Sequence, residues 1–173
     1  MRYATFLRGV NVGAHNRIKM VDFGRMLEEL GLGRVETYIQ SGNAVFDSDE
    51  GEAALAEKIK AALAAAGVRS NAVLRNTEQM RAIADALPFS EAEIAAAASD
   101  EWESLYVVLF SAAPDIKIAP DAKDRAVLAG REAYLLLGQS VRLSKLAAKL
   151  MKPETATARN WNTILKMKEM AEK

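Results

Sequence analysis

The chain has 173 residues and no net charge at pH 7, and 50% of its residues are apolar and 27% charged, which is typical of a globular protein with one domain or two small subdomains. It contains no cysteine, which excludes disulfides, zinc–thiolate centres and thiol nucleophiles and suits a reducing compartment. No apolar run reaches the length of a membrane span and no secretion signal precedes the first strand pattern, so we expect a cytoplasmic protein.

The first half of the chain predicts strands and helices in the order β-α-β-β-α-β. Apolar residues from Phe23 to Leu30 recur at i, i+3, i+4 and i+7, which indicates an amphipathic helix, and short β-branched or aromatic runs indicate strands. The predicted elements lie at residues 3–8, 20–30, 35–40, 44–47, 55–67 and 70–75. This order is the split βαβ, or ferredoxin-like, pattern, which predicts an antiparallel sheet with both helices on one face.

The second half predicts a diverged or partial ferredoxin-like subdomain. Thr77 is predicted to cap its first helix, and Ser90 and Glu93 have capping-box spacing before a short exposed one. The remaining elements are strands at 105–110, 125–129 and 132–137 and helices at 141–150 and 158–172, with an irregular, proline-containing stretch at 112–124 and no recognisable fourth strand. We therefore predict an α+β protein with subdomains at residues 1–76 and 77–173.

A polar turn joins two of the predicted strands of the first half. Gly42 can adopt a positive φ, and Ser41 and Asn43 can hydrogen-bond to their own backbone, so the turn has a physical basis. It is either a hairpin turn alone or a ligand site, in which Gln40, Ser41 and Asn43 present uncharged donors and acceptors at the end of a sheet.

The loop after the first strand has the setting of a phosphate cradle, between a strand and a helix. Its glycines permit close approach of the backbone, and Arg8, Arg17 or Lys19 could neutralise an anion near Asn11. Neither the P-loop nor the dinucleotide-binding glycine pattern occurs. The alternative is that the glycines only shape a tight crossover.

A second polar segment lies at residues 155–163. Thr155 or Thr157 is predicted to cap the last helix, so that Arg159, Asn160 and Asn162 would lie near its free N–H groups and could bind an anion. The alternative is an elaborate helix cap without a ligand.

The single histidine, His15, cannot build a metal cluster without cysteine or further histidines, and Ser41 lacks the glycine pattern of a nucleophilic serine. We therefore predict no metal site, and we assign neither a catalytic residue nor a cofactor.

The sequence resembles a family of bacterial proteins known as domain of unknown function 1697. The matching stretches are FLRGVNVG at 6–13, Lys19-Met20, TYIQSGNAVF at 37–46, Ser144-Lys145-Leu146 and TARNWNT at 157–163. The chain departs at Ala14-His15, where the family usually has glycine followed by a polar or basic residue. The resemblance implies two ferredoxin-like subdomains and brings no established activity.

The leading hypothesis is a cytoplasmic protein, monomeric or weakly dimeric, that binds a small anionic ligand such as a nucleotide or phosphorylated metabolite. The candidate ligand-binding residues are Arg8, Asn11, Lys19, Gln40, Ser41, Asn43, Lys145, Arg159, Asn160 and Asn162.

Three alternatives remain open. Nucleic-acid binding would use the basic chain ends, with Tyr38 and Phe46 as the nearest aromatic candidates for stacking. An enzyme acting on a phosphorylated substrate would use Lys145 or Lys19 as an electrophilic stabiliser. An interaction module would use Trp161 and the Ala-rich residues 90–103 to pack a partner or a second copy.

Overall fold

The computed structural model describes residues 1–173, in which eight strands form two four-stranded antiparallel sheets accompanied by six helices, so the predicted α+β class is confirmed. The first elements are β1 Arg2–Leu7, α1 Met20–Glu29, β2 Gly33–Tyr38, β3 Asn43–Asp47, α2 Glu52–Ala65, β4 Ala72–Asn76 and α3 Thr77–Asp85. They are followed by α4 Glu91–Ala97, β5 Leu105–Phe110, β6 Asp124–Ala129, β7 Glu132–Leu137, α5 Lys145–Leu150, β8 Ala156–Asn160 and α6 Trp161–Ala171.

The chain divides into two compact units, residues 1–82 with 165–173, and residues 83–164. The sequence predicts a single boundary, between residues 76 and 77. No helix combines the length and apolarity needed to cross a bilayer.

The first unit contains a sheet with strand order β2-β3-β1-β4. Phe23 and Leu27 of α1 lie in the same buried cluster as Ile59 and Leu63 of α2 and Phe46 of β3. Since side chains alternate between the two faces of a strand, this shared cluster places both helices on one face of the sheet, as predicted.

Residues 165–173 are tied to the first unit by hydrogen bonds. The Arg2 side chain is buried and its Nε donates to the carbonyl oxygen of Met170 at 3.1 Å. Thr77 Oγ1 donates to the carbonyl oxygen of Ala171 at 2.8 Å, and Arg81 pairs with Glu172 at 2.7 Å. The first unit is therefore built from two separate stretches of chain.

The second unit contains a sheet with strand order β6-β7-β5-β8. Its core includes Phe110, Leu135 and Leu150, and no helix connects β5 to β6. Instead, the irregular stretch predicted there runs over the core, with Ile116 and Ile118 packed against the same cluster. These two side chains cover part of the apolar surface of this core.

The fourth strand that the sequence did not reveal is β8. It pairs with β5 over five residues, from Tyr106 opposite Asn160 to Phe110 opposite Ala156. The predicted cap at Thr155 or Thr157 is therefore wrong, because these residues precede or lie within a strand. The backbone groups of β8 bond to β5, and the last helix begins only at Trp161.

Both units end their last strand with the sequence Arg-Asn. Arg75 and Arg159 are buried, and the Nη1 of each donates to the carbonyl oxygen of its own preceding residue, at 2.7 and 2.8 Å. Asn76 and Asn160 each accept, through Oδ1, the backbone N–H three residues later, at 2.9 Å in both cases. Asparagine therefore caps both α3 and α6, and the predicted cap at Thr77 is wrong.

The capping box predicted before α4 is present. Ser90 Oγ accepts the Glu93 N–H at 3.2 Å, and a Glu93 carboxylate oxygen accepts the Ser90 N–H at 2.8 Å. Two donors at the start of this short helix are thus satisfied by side chains.

Candidate functional site

The loop between β1 and α1 is held in place by the Asn11 side chain. Its Oδ1 accepts the Ile18 N–H at 2.9 Å, while its Nδ2 donates to the carbonyl oxygens of Ile18 and Gln40 at 2.9 and 2.7 Å. Asn11 has a φ of 56°, a left-handed conformation that asparagine tolerates better than most residues. One amide group thereby fixes the loop to the turn between β2 and β3.

Asn16 and Ser70 brace the same loop from its other side. Asn16 accepts the Arg69 N–H at 2.9 Å and donates to the Arg69 carbonyl oxygen. Ser70 Oγ donates to the carbonyl oxygen of Arg8 at 2.7 Å. Neither residue is recognisable as a support from the sequence, because each contact joins segments far apart in the chain.

The turn of residues 39–42 packs directly against the end of β1. Gly42 has a φ of 80°, and a Cβ at this position would lie 2.7 Å from Leu7 Cβ and from Val10 Cγ2. Its carbonyl oxygen accepts the Leu7 N–H at 2.8 Å. Only glycine combines this backbone conformation with so close an approach.

Ile39 in this turn is backbone-strained. It has a φ of 45° although it is β-branched, and its side chain is 51% exposed. The carbonyl groups on either side of it are fixed, since Asn43 Nδ2 donates to Tyr38 O at 3.1 Å and Asn11 Nδ2 to Gln40 O. Neighbouring hydrogen bonds thus hold a conformation that isoleucine alone disfavours.

A cleft of about 730 Å³ lies beside this loop and turn, and we call it the α1 cleft. It is bordered by the loop, the start of α1, the turn and the segment that follows α2. Its lining residues are Asn11, Arg17, Ile18, Lys19, Asp22, Met26, Gln40, Ala66 and Val68.

The α1 cleft has a cationic edge and an apolar wall. Arg17 and Lys19 are exposed cations, and Asp22 is the only carboxylate among the lining residues. Lys19 is also the N-cap of α1 and provides no side-chain hydrogen bond to the helix. The positive end of the α1 dipole therefore adds to the two cations at this edge. Met26, Ala66 and Val68 contribute apolar surface.

Of the ten residues predicted from the sequence, Asn11, Lys19 and Gln40 meet in this cleft. Arg8, Ser41 and Asn43 belong to the same unit but are not among the residues that line it. Asn43 is fully buried, and besides Tyr38 O its Nδ2 reaches Ser41 Oγ at 2.8 Å. The Asn43 amide group therefore donates hydrogen bonds to the residues of the turn.

The other four predicted residues belong to the second unit. Lys145 is exposed at the start of α5, and Asn162 is exposed in the first turn of α6. Burial lowers the pKa of Arg159 to about 10, so its guanidinium still carries a charge at neutral pH. It donates to Thr157 Oγ1 at 2.7 Å. Arg159 and the helix-capping Asn160 therefore have partners within their own unit.

The aromatic candidates for base stacking differ in exposure. Phe46 is buried in the core of the first unit, where it packs 6.0 Å from Tyr3 between ring centroids. Tyr38 is half-buried. Phe46 is therefore placed to stabilise the sheet and offers no free ring face.

Fold and cleft together define a two-unit α+β protein with an open, cation-edged cleft in its first unit. The chain belongs to the family described as "Protein of unknown function (DUF1697)", which matches residues 1–134. The solved structure of the conserved bacterial protein SP0830 from Streptococcus pneumoniae is similar over 98% of both chains, with 24% sequence identity and a TM-score of 0.72. This likeness concerns the fold. Among curated proteins, none matches the chain at a significant level.

Proposed function

We propose that the protein binds a small anionic ligand, a nucleotide or phosphorylated metabolite, in the α1 cleft. The observation that supports this proposal is the meeting of Arg17, Lys19 and the N-terminus of α1 at one edge of an open cleft. Backbone N–H groups and a positive dipole end at a helix N-terminus favour phosphates and carboxylates. The cleft volume of about 730 Å³ is within the range of small-molecule sites.

The residues around the α1 cleft divide into a frame and a binding surface. Asn11 belongs to the frame, because its amide is committed to Ile18 and Gln40. Lys19 and the Gln40 side chain are exposed and can turn towards a ligand. Such a preformed frame lowers the entropy cost of binding, since the loop is already ordered.

We propose that the binding site lies in the first unit and that the protein is located in the cytoplasm. The absence of cysteine is the ground for the cytoplasmic location. Lys145 and Asn162 are left outside the proposed site.

A thermal-shift screen of the full chain against inorganic phosphate, sugar phosphates, nucleotides and short oligonucleotides tests this proposal. A ligand at about 100 times its Kd stabilises the native state by about 2.7 kcal/mol, which raises Tm by about 5–10 °C in a protein of this size. The shift should largely disappear in Lys19→Gln. Lys60→Gln is the matched control, because it removes the same charge from an exposed position of α2 outside the cleft.

Two results would contradict the proposal. One is a shift of equal size in Lys19→Gln and Lys60→Gln. The other is a shift seen only with oligonucleotides and lost in added salt, which would indicate nucleic-acid binding through phosphate contacts.

A further inference from the structure

The α1 cleft continues into a second depression between α1 and α2, of about 480 Å³, which we call the helix groove. The two depressions share Asp22, Met26 and Ala66 as lining residues, so they adjoin along α1, and we call them together the channel. The α2 side of the groove consists of alanines, among them Ala62 and Ala65. The space stays open because an alanine side chain ends at Cβ and cannot fill it.

Three kinds of chemistry follow one another along this channel. The cations Arg17 and Lys19 stand at one end. The Asp22 carboxylate follows, 3.9 Å from Nη1 of Arg25. The groove comes next, and its lining combines the charged Arg25 and Glu29 with apolar surface from Met26, Leu30 and the alanines. With a rise of 1.5 Å per residue, Met26 lies about 10 Å along the helix from Lys19. A ligand that fills the channel should therefore be anionic at one end, offer hydrogen-bond donors in the middle and combine an apolar face with polar edges at the other end.

We propose that the ligand is a ribonucleoside phosphate, an inference that rests on the proposed function above. Its phosphate binds at Arg17, Lys19 and the N-terminus of α1. Its ribose hydroxyls donate to the Asp22 carboxylate, an arrangement that dinucleotide-binding folds also use for ribose. Its base lies on Met26 and Ala65, where a thioether makes favourable contacts with an aromatic ring.

Two other anionic ligands fit this channel less well. A simple sugar phosphate satisfies the cations and Asp22 but leaves the apolar surface of the groove, at Met26, Leu30 and the alanines, uncovered. A fatty acid or acyl phosphate would bring an alkyl chain against the Asp22 carboxylate and desolvate it without a donor, which is unfavourable.

Isothermal titration of the full chain with AMP, GMP, CMP, UMP and ribose 5-phosphate tests the inference. We expect at least one nucleotide to bind ten times more tightly than ribose 5-phosphate. Its 2′,3′-dideoxy form should bind about ten times more weakly to the wild type, and Asp22→Asn should remove most of that difference, because the carboxylate is the acceptor for the two hydroxyls.

A substitution in the groove tests the contact with the base independently of the contact with the phosphate. Ala65 is exposed, so Ala65→Leu fills the groove without disturbing the core, and it should weaken the nucleotide about tenfold while leaving ribose 5-phosphate unchanged. Ala64→Leu is the control, since Ala64 is an exposed neighbour that does not line the groove.

The possible failures are distinguishable. If ribose 5-phosphate binds as tightly as every nucleotide and loses affinity in Lys19→Gln, the ribonucleoside inference is overturned and the anion site stands. Equal effects of Ala65→Leu and Ala64→Leu on the nucleotide would also overturn it. If none of the five compounds binds, the ribonucleoside inference is overturned, and the thermal-shift screen against the wider set of anions decides the proposed function separately.

Discussion

The two units share a strand order but connect their first and second strands differently. In the first unit a braced loop leads from β1 into α1, whereas in the second the irregular residues 111–123 join β5 to β6. A helical crossover leaves a helix N-terminus at the end of the sheet, where the α1 cleft lies. An irregular crossover leaves none. The sheet is thus common to both units, and the connection between the first two strands determines which unit has a helix N-terminus at this end of the sheet.

Non-glycine residues with a strained backbone also occur in only one of the two units. The four non-glycine residues with positive φ are Asn11, Asn16, Arg34 and Ile39, and all belong to the first unit. Three of them lie in the loop and turn beside the α1 cleft. Strained backbone persists where surrounding contacts enforce it, and such places are often functional. Most of the non-glycine backbone strain in the chain therefore lies beside the α1 cleft.

The two hairpin turns give the sharpest test of this comparison. Gly130, in the turn between β6 and β7, has a φ of 62° but open space where a Cβ would stand, whereas Gly42 combines positive φ with contacts of 2.7 Å. Gly130→Ala should cost about 1–2 kcal/mol for the left-handed backbone alone. Gly42→Ala should cost about 2–5 kcal/mol, because overpacking adds about 1–3 kcal/mol. Urea denaturation measures both, and equal losses would show that Leu7 and Val10 move aside freely.

The Arg-Asn sequence that ends both β4 and β8 allows a test of what the two units have in common. Asn76→Ala and Asn160→Ala should each reduce the free energy of unfolding by about 1 kcal/mol, since each removes one helix cap with the same 2.9 Å hydrogen bond. Asn162→Ala is the control, because Asn162 is exposed in the first turn of α6 and is not its cap. If one cap proves dispensable, the repeated sequence has different roles in the two units. Chemical denaturation of the three variants decides this.

The smallest expected effect concerns acid sensitivity in the second unit. Hydrogen bonds from Arg125 and then from Ser90 lower the pKa of Glu93 from its usual 4.5 to about 2. Because the pKa is lower in the folded state, Glu93 stabilises the protein above pH 4.5, and this stabilisation is lost as the pH falls from about 4.5 to about 2. Glu93→Gln should flatten the dependence of unfolding free energy on pH in that window. An unchanged pH dependence would show that the ion pair is fully screened by solvent.

Most of the fold could be predicted because core-facing residues repeat within each element. The apolar spacing of α1 and α2 is local, and so are the turn residues at Gly42 and Gly130. The β8 strand could not be predicted in this way. Its residues Ala156 to Asn160 are small or polar and carry no strand signal, and only hydrogen bonding to β5 makes them a strand.

The candidate site could be predicted only in part. Three of the predicted residues, Asn11, Lys19 and Gln40, line the α1 cleft, and polar residues in turns and helix starts are visible in a sequence. The apolar wall of Met26 and Ala66 was missed, since a cleft depends on the spacing of α1 and α2. A sequence also shows that a donor exists without showing that it is already bonded, which is the case for Asn43.

The discontinuity of the first unit has a consequence for biosynthesis. The ribosome must make all 82 residues of the second unit before it supplies residues 165–173, which takes about 4–16 s at typical rates of translation. During that interval Arg2 lacks the Met170 carbonyl and Thr77 lacks the Ala171 carbonyl. The nascent first unit therefore lacks these native hydrogen bonds until residues 165–173 have been made, after the whole of the second unit.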